Sequence, residues 1–190
     1  MVDFFTSAMA FMWLPENDGQ TLHTSANDPG GSTAWGVTYA TWVGWQNMHH
    51  EPATFAVFSA CKQADFLPLY RAMYWNACRC GNMGALGVQV FDIAMNSGPG
   101  NAARFLQKVL GVAADGELGP VTLAALNNAD PKKVNQDLFE KREAFYASLP
   151  TARFFERGWD RRATACRDLV ASLLAGNNYG SNSPSPSVPL

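Results

Sequence analysis

Apolar residues recur at helical spacing along most of this chain. The first such run shares one helix face and predicts an amphipathic helix from about Asp3 to Leu14, which Pro15 ends. Further runs of this kind, bounded by glycine, proline or a capping residue, predict seven more helices. They cover about residues 39–46, 53–61, 69–77, 101–110, 122–126, 131–149 and 159–174.

One segment differs because it is apolar on nearly every side. Leu86–Met95, with the sequence LGVQVFDIAM, has the pattern of a helix buried in the centre of a domain. Its carboxylate, Asp92, must be paired or hydrogen-bonded if it is buried. Asp92 therefore either braces the fold through a buried partner such as an arginine, which we favour, or faces the cleft. The basic residues of the later helices are predicted to lie on solvated faces: Lys132, Lys133, Lys141, Arg142, Arg161 and Arg162.

A polar, glycine-rich stretch, PENDGQTLHTSANDPGGSTAWGVT, joins the first two helices as residues 15–38. Gly36 lies between Trp35 and Val37, which predicts the bend of a short hairpin, and Thr38 is the predicted N-cap of the next helix. Glu16 comes just after the first helix, whose C-terminal partial negative charge disfavours a carboxylate. A raised pKa is what a general acid needs, although an ordinary solvated glutamate fits the same position.

Composition narrows the classes of protein that fit. The chain has 190 residues, of which 47% are hydrophobic, enough for one domain or one domain with an appended subregion. A net charge of -2 gives no electrostatic reason to bind nucleic acid or an anionic membrane. No stretch is long enough to cross a bilayer, and Asp3 stands where a secretory signal carries basic residues.

The four cysteines do not have the spacing of a zinc or thioredoxin-like site, since Cys78 and Cys80 are separated by one residue. With Cys61 and Cys166 they are predicted to be free, mostly buried thiols, and a disulfide formed after export stays open. His49 and His50 are neighbours whose side chains point apart on a helix. We therefore expect no metal site and no cofactor.

Five ordered blocks resemble the glycoside hydrolase family 108 muramidases. The first is Glu16 followed by DPGGSTAWGVT, similar to the family's glutamate, DPGG, threonine and GVT signature. The loop ENDGQTLHTSAND is a few residues longer than the family's usual EGGY or EGGF form, and only Gly19 keeps the glycine role. The later blocks are YRAMYW, FDIAMNSGPGNAARFLQ, DGELGPVTLAAL and FERGWDRR, so the likeness covers about residues 4–174.

The resemblance implies a mainly α (α+β) fold: a lysozyme-like helical body with a small β-hairpin near residues 28–37. Residues 1–96 would form the catalytic region. Residues 97–175 would form a helical, peptidoglycan-binding-like region packed on it as one body. The Gly, Asn, Ser and Pro composition of residues 176–190 predicts a disordered tail.

The implied activity is peptidoglycan hydrolysis at the β-1,4 bond between N-acetylmuramic acid and N-acetylglucosamine. Glu16 would be the general acid, Asp28 the second carboxylate and Thr33 a water ligand, although an aspartate before proline is also a typical turn residue. Asn96 and Ser97 suit an acetamido group, and Asn96 suits a helix cap equally well. The predicted substrate-binding residues are His23, Trp35, Tyr39, Asn96 and Ser97.

The implied partner is bacterial peptidoglycan, and a monomer without stable membrane insertion is expected. Without a signal peptide, the protein would be made in the bacterial cytoplasm and reach the periplasmic wall through a holin or another export route. Two other functions stay open. One is a lytic transglycosylase, and the other is a non-catalytic peptidoglycan-binding or virion structural module.

Overall fold

The computed structural model describes residues 3–14, 31–150 and 152–176, with the side chains of residues 152–156 left aside. This part of the chain is mainly helical, as predicted. Its helices are α1 (Phe4–Met12), α2 (Tyr39–Met48), α3 (Phe55–Ala60), α4 (Leu67–Tyr70), α5 (Leu86–Ser97), α6 (Pro99–Leu110), α7 (Pro120–Asn127), α8 (Pro131–Ala147) and α9 (Ala152–Leu174). The strands β1 (Thr33–Ala34) and β2 (Val37–Thr38) form a two-stranded antiparallel sheet.

Side-chain caps begin several helices where the sequence predicted a start. The Asp3 carboxylate accepts a hydrogen bond from the amide of Phe5 at 3.2 Å, ahead of α1. Thr38 accepts from the amide of Thr41 at 3.2 Å, ahead of α2. Asp130 likewise caps α8, where Pro131 occupies the first turn. These residues satisfy amides that a helix leaves without an internal partner.

Several boundaries differ from the sequence-based expectations, and the last helix begins at Ala152 where a start near residue 159 was predicted. The helix predicted over residues 69–77 is α4 followed directly by a π-helical segment, Arg71–Asn76. The connection between the helices predicted at residues 86–95 and 101–110 is much shorter, because α5 continues through Ser97 and α6 begins at Pro99. Gly98 alone separates the two helices, with φ of 85°, a conformation that glycine adopts without steric cost. Proline then fits the first helical position of α6.

Helix α5 is the centre of the core, as its sequence predicted. Its residues from Leu86 to Ala94 are buried, and it packs against α1, α6, α8 and α9. On the α1 side, the ring of Phe5 meets Phe91 edge-on at 6.1 Å and Trp75 at 5.4 Å. The region matching the expected catalytic part therefore shares one core with the helices that follow it.

Asp92 is braced by arginine, as predicted, but the prediction that Arg142 and Arg162 lie on solvated faces is wrong. Arg142 Nη1 is 2.6 Å from Asp92 Oδ2, and Arg162 Nη2 is 2.7 Å from Asp92 Oδ1. The exposed fractions are 1% for Asp92, 1% for Arg142 and 9% for Arg162. The two arginines are buried because a carboxylate at the centre of α5 supplies the opposite charge they need.

Cys78, Cys80 and Cys166 are buried free thiols, and Cys61 is a half-buried one. Burial raises the pKa of the Cys166 thiol, and burial followed by the charge of Asp65 raises the pKa of Cys61. A hydrogen bond with Cys80 lowers the pKa of Cys78, but Cys78 is buried, so we expect access to reagent to decide which thiol reacts first.

We expect the native protein to react with an aromatic disulfide reagent at one thiol, Cys61. The other three should react only after unfolding, since their side chains are enclosed by the core. Stopped-flow absorbance should show one fast equivalent in buffer and four in guanidinium chloride. Cys61→Ser should remove the fast phase, and two or more equivalents reacting at the same rate in buffer would contradict the expectation.

No helix in the described ranges has the length and apolar character needed to cross a membrane.

Candidate functional site

The hairpin is the part of the predicted site that the structure describes most fully. Thr33 pairs with Thr38 and Ala34 pairs with Val37, so Trp35 and Gly36 form a two-residue turn. Their φ values are 52° and 81°, and positive φ at both central positions is the requirement of a type I′ turn. The bend predicted at Gly36 is confirmed. Among the described residues the strands span residues 33–38, and residues 28–30 of the predicted span lie outside the described part of the chain.

Trp35 adopts a conformation that side-chain-bearing residues seldom take. The left-handed region costs an L-residue about 1–2 kcal/mol, so the turn must be held by its surroundings. Ala34 and Val37 anchor the strands because both are buried. The Tyr70 hydroxyl donates a hydrogen bond to the carbonyl oxygen of Trp35. A Cβ atom added to Gly36 would lie 3.0 Å from the same hydroxyl oxygen, so the turn is in close contact with Tyr70.

The hairpin is also tied directly to α2. The amide of Tyr39 donates to the carbonyl oxygen of Ser32 at 2.8 Å, and Thr38 is at once the last residue of β2 and the N-cap of α2. The Tyr39 hydroxyl donates to the carbonyl oxygen of Ala53 at 2.9 Å. Its ring stacks on Trp42 at 6.1 Å and packs beside Phe58 at 5.2 Å. Tyr39 therefore links the hairpin to the α2–α3 aromatic cluster.

The predicted site residues fall into three groups. Thr33, Trp35 and Tyr39 lie within seven consecutive residues of the hairpin and the start of α2, and each is half-buried. Asn96 and Ser97 are the last two residues of α5. Glu16, His23 and Asp28 lie outside the described residues, so their catalytic and binding roles stay predictions.

Asn96 and Ser97 use their polar groups in different ways. The exposed Asn96 donates from Nδ2 to the carbonyl oxygen of Asp92 at 2.7 Å, one turn earlier in α5. The carbonyl oxygen of Ser97 accepts from Asn101 Nδ2 at 2.8 Å. Ser97 Oγ is enclosed and has no hydrogen-bond partner among the described residues. Asn96 thus makes a local helix contact, and the role of both residues toward an acetamido group stays a prediction.

Tyr70 is the residue that the sequence-based site left out. It lies in the YRAMYW block, within the helix predicted over residues 69–77, and its exposed fraction is 0%. Burial, with a smaller contribution from Tyr74, raises its pKa far above the ordinary value, so the hydroxyl keeps its proton and remains a donor. The sequence could indicate that Tyr70 faces inward, but it could not indicate the hydrogen bond to Trp35, which lies 35 residues away in sequence.

In the portion that the structure describes, no group of three or more His, Cys, Asp and Glu side chains is arranged to hold a metal ion. His49 instead packs its ring against Trp45 at 3.9 Å, with Nδ1 2.8 Å from the Trp45 carbonyl oxygen. The contacts described for the hairpin and α2 are made by hydroxyl groups, backbone carbonyls and aromatic rings.

Comparisons with known proteins agree with this arrangement. The family model for glycosyl hydrolase 108 matches residues 12–98, and a model described as a predicted peptidoglycan domain matches residues 101–164. No curated protein sequence matches the chain significantly. The structure of Brucella abortus SagA is similar, with a TM-score of 0.78 and 30% sequence identity over 88% of this chain and 94% of that one. The likeness agrees with a lysozyme-like, mainly α fold.

Proposed function

The chain belongs to the glycosyl hydrolase 108 family, and we propose that it is an N-acetylmuramidase that cleaves the β-1,4 bond between N-acetylmuramic acid and N-acetylglucosamine. The family matches support the coarser statement that it is a glycoside hydrolase acting on peptidoglycan. The observation that carries the proposal is the match over residues 12–98, which spans the end of α1, the whole 15–38 stretch, the hairpin and α5.

Glu16 is the proposed general acid, which protonates the oxygen of the leaving sugar. Its position supports the role, since it follows the last residue of α1, Met12, by four positions in the sequence. Proton transfer of this kind contributes about 100- to 10,000-fold to a rate. Asp28 is the proposed second carboxylate, which stabilises the oxocarbenium-like transition state or orients water. Thr33, half-buried on β1, is the proposed water ligand.

Five residues are proposed to bind the glycan. Trp35, half-buried at the hairpin turn, offers a ring face on which a sugar can stack. Tyr39 would shape the adjoining wall of the site, because its ring is fixed between the hairpin and the aromatic cluster of α2 and α3. Asn96 and Ser97 would contact the acetamido group, and His23 is proposed to lie in the active loop.

We further propose a route to the substrate. The protein would be made in the bacterial cytoplasm, cross to the wall with the help of a holin or another export system, and act there as a monomer. The peptidoglycan domain match supports the wall as the destination.

Product analysis tests the proposed reaction. Purified sacculi would be digested, reduced with borohydride and analysed by mass spectrometry. A muramidase leaves N-acetylmuramic acid at the reducing end, which borohydride converts to the alditol. A reducing N-acetylglucosamine would place the cut at the other glycosidic bond. A 1,6-anhydro product, which borohydride does not reduce and which is lighter than the alditol by one water and two hydrogens, would identify a transglycosylase. Sedimentation with sacculi without any product would identify a binding module.

A further inference from the structure

We propose that Tyr70 is a positioning residue for the reaction, which fixes the hairpin turn against the end of α1 and thereby sets kcat. The inference rests on the proposed glycoside hydrolase function. Tyr70 is not proposed to touch the substrate. Its part is to hold the two elements on either side of the predicted catalytic stretch in one fixed relation.

The first contact is with the hairpin. Tyr70 donates its hydroxyl hydrogen to the carbonyl oxygen of Trp35, at the centre of a turn in which Trp35 and Gly36 both have positive φ. A tryptophan is disfavoured in that conformation, so the turn depends on support from outside the hairpin. The donor comes from a side chain that is 0% exposed, which leaves it little freedom to move away.

The second contact is with the end of α1. The indole ring of Trp13, the C-cap of α1, meets the ring of Tyr70 edge-on at 6.3 Å. Met12 approaches the same turn, since its Cε would lie 3.5 Å from a Cβ added to Gly36. The chain leaves α1 here and returns at the hairpin. Tyr70 therefore touches both ends of the stretch that carries Glu16 and Asp28 in the sequence.

The surroundings of Tyr70 make it a rigid support. It is the last residue of α4 and stands directly before the π-helical segment Arg71–Asn76. Its ring packs beside Phe91 of the central helix α5 at 6.4 Å and Tyr74 at 6.1 Å. π-Helical turns are rare and often occur at functional sites. Here the π-helical segment adjoins a side chain that contacts the C-cap of α1, helix α5 and the hairpin.

Tyr70→Phe is expected to lower kcat about tenfold and to change KM less than twofold. Phenylalanine preserves the ring contacts but releases the carbonyl oxygen of Trp35, so β1 and Thr33 lose a fixed position. A displacement of about 1 Å at a reacting group can reduce a rate by as much as 100-fold. A tenfold fall in kcat would correspond to a displacement of Thr33 by less than about 1 Å. KM should change little because the side chains proposed to bind the glycan are all retained.

The measurement is steady-state kinetics on soluble, uncrosslinked glycan strands prepared from peptidoglycan. It would be made at a temperature where circular dichroism shows each variant fully folded. Tyr74→Phe is the matched control, because it removes a hydroxyl from the neighbouring half-buried tyrosine, and its kcat should equal that of the wild type. Gly36→Ala disturbs the same turn and should also lower kcat, since its Cβ would meet the Tyr70 hydroxyl at 3.0 Å and its φ of 81° strains a side chain.

The double variant Gly36→Ala with Tyr70→Phe should lose less than the product of the two single losses, because both changes act on one contact. An active wild type with an unchanged kcat in Tyr70→Phe would overturn the inference. A change in KM with kcat unchanged would also overturn it. So would a fall in kcat no larger than the fraction of the variant that is unfolded. A wild type that yields no product from the same strands would instead remove the proposed function on which the inference rests.

Discussion

Glu16→Gln is expected to lower the rate of peptidoglycan clearing by roughly 100- to 10,000-fold and to leave the fold intact. Glutamine has nearly the shape of glutamic acid, but its amide cannot deliver a proton to the leaving oxygen. The proposed site therefore keeps its contacts with the glycan and loses its acid. The turbidity of a suspension of purified sacculi gives the rate, and circular dichroism checks the fold.

Glu51→Gln is the control for the loss of a carboxylate. Glu51 is exposed between α2 and α3, and its backbone amide donates to the carbonyl oxygen of Gln46 at 3.0 Å, a bond the substitution preserves. Its clearing rate should match that of the wild type. If Glu16→Gln clears sacculi as fast as the wild type, the acid is another residue. The assignment to Glu16 would then be wrong even though the family membership stands.

The features that the sequence predicted well are those with local signals. The helix starts at Thr38 and Asp130 follow from capping residues, the start near Asp3 follows from the spacing of apolar residues, and the central position of α5 follows from a run that is apolar on nearly every side. The hairpin bend follows from Gly36. Each of these depends on residues close in sequence, where propensity, capping and hydrophobic pattern act together.

The features that escaped prediction depend on distant partners. An arginine in a helix rich in charged residues is normally solvated, and only the pairing with Asp92, 50 residues earlier, makes Arg142 a core residue. The link between Tyr70 and Trp35 also joins positions far apart in the chain. Glu16, Asp28 and His23 are assigned by resemblance, because the sequence gives the residue types but no distance between them.

Asp92→Ala is expected to lower the free energy of unfolding by about 3–5 kcal/mol, because it removes the buried carboxylate that both guanidinium groups contact. Arg142 is 1% exposed and Arg162 is 9% exposed, so water can compensate little of the loss. Urea unfolding followed by circular dichroism measures the change. Asp137→Ala is the control, since it breaks a 2.5 Å ion pair with the exposed Lys133 on α8, which solvent screens, and should lower the free energy of unfolding far less than Asp92→Ala does.

The same ion cluster should give the stability a pH dependence that Asp92→Ala removes. Burial raises the pKa of Asp92, but the charges of Arg162 and Arg142 and their hydrogen bonds outweigh it and hold the pKa below its ordinary value. The cluster therefore stabilises the fold above the pKa of an unfolded aspartate, about 3.9, and this contribution is lost as the pH falls through the lower folded value. The difference in unfolding free energy between wild type and Asp92→Ala should shrink in acid.

The cluster also joins the two regions that match different family models. Asp92 lies in the part that matches the glycosyl hydrolase model, and both arginines lie in the part that matches the peptidoglycan domain model. Asp92→Ala should therefore weaken both parts together. Tryptophan fluorescence and circular dichroism should show one coincident urea transition at a lower midpoint. Two separated transitions, or a loss no larger than that of Asp137→Ala, would mean that the cluster does not couple the regions.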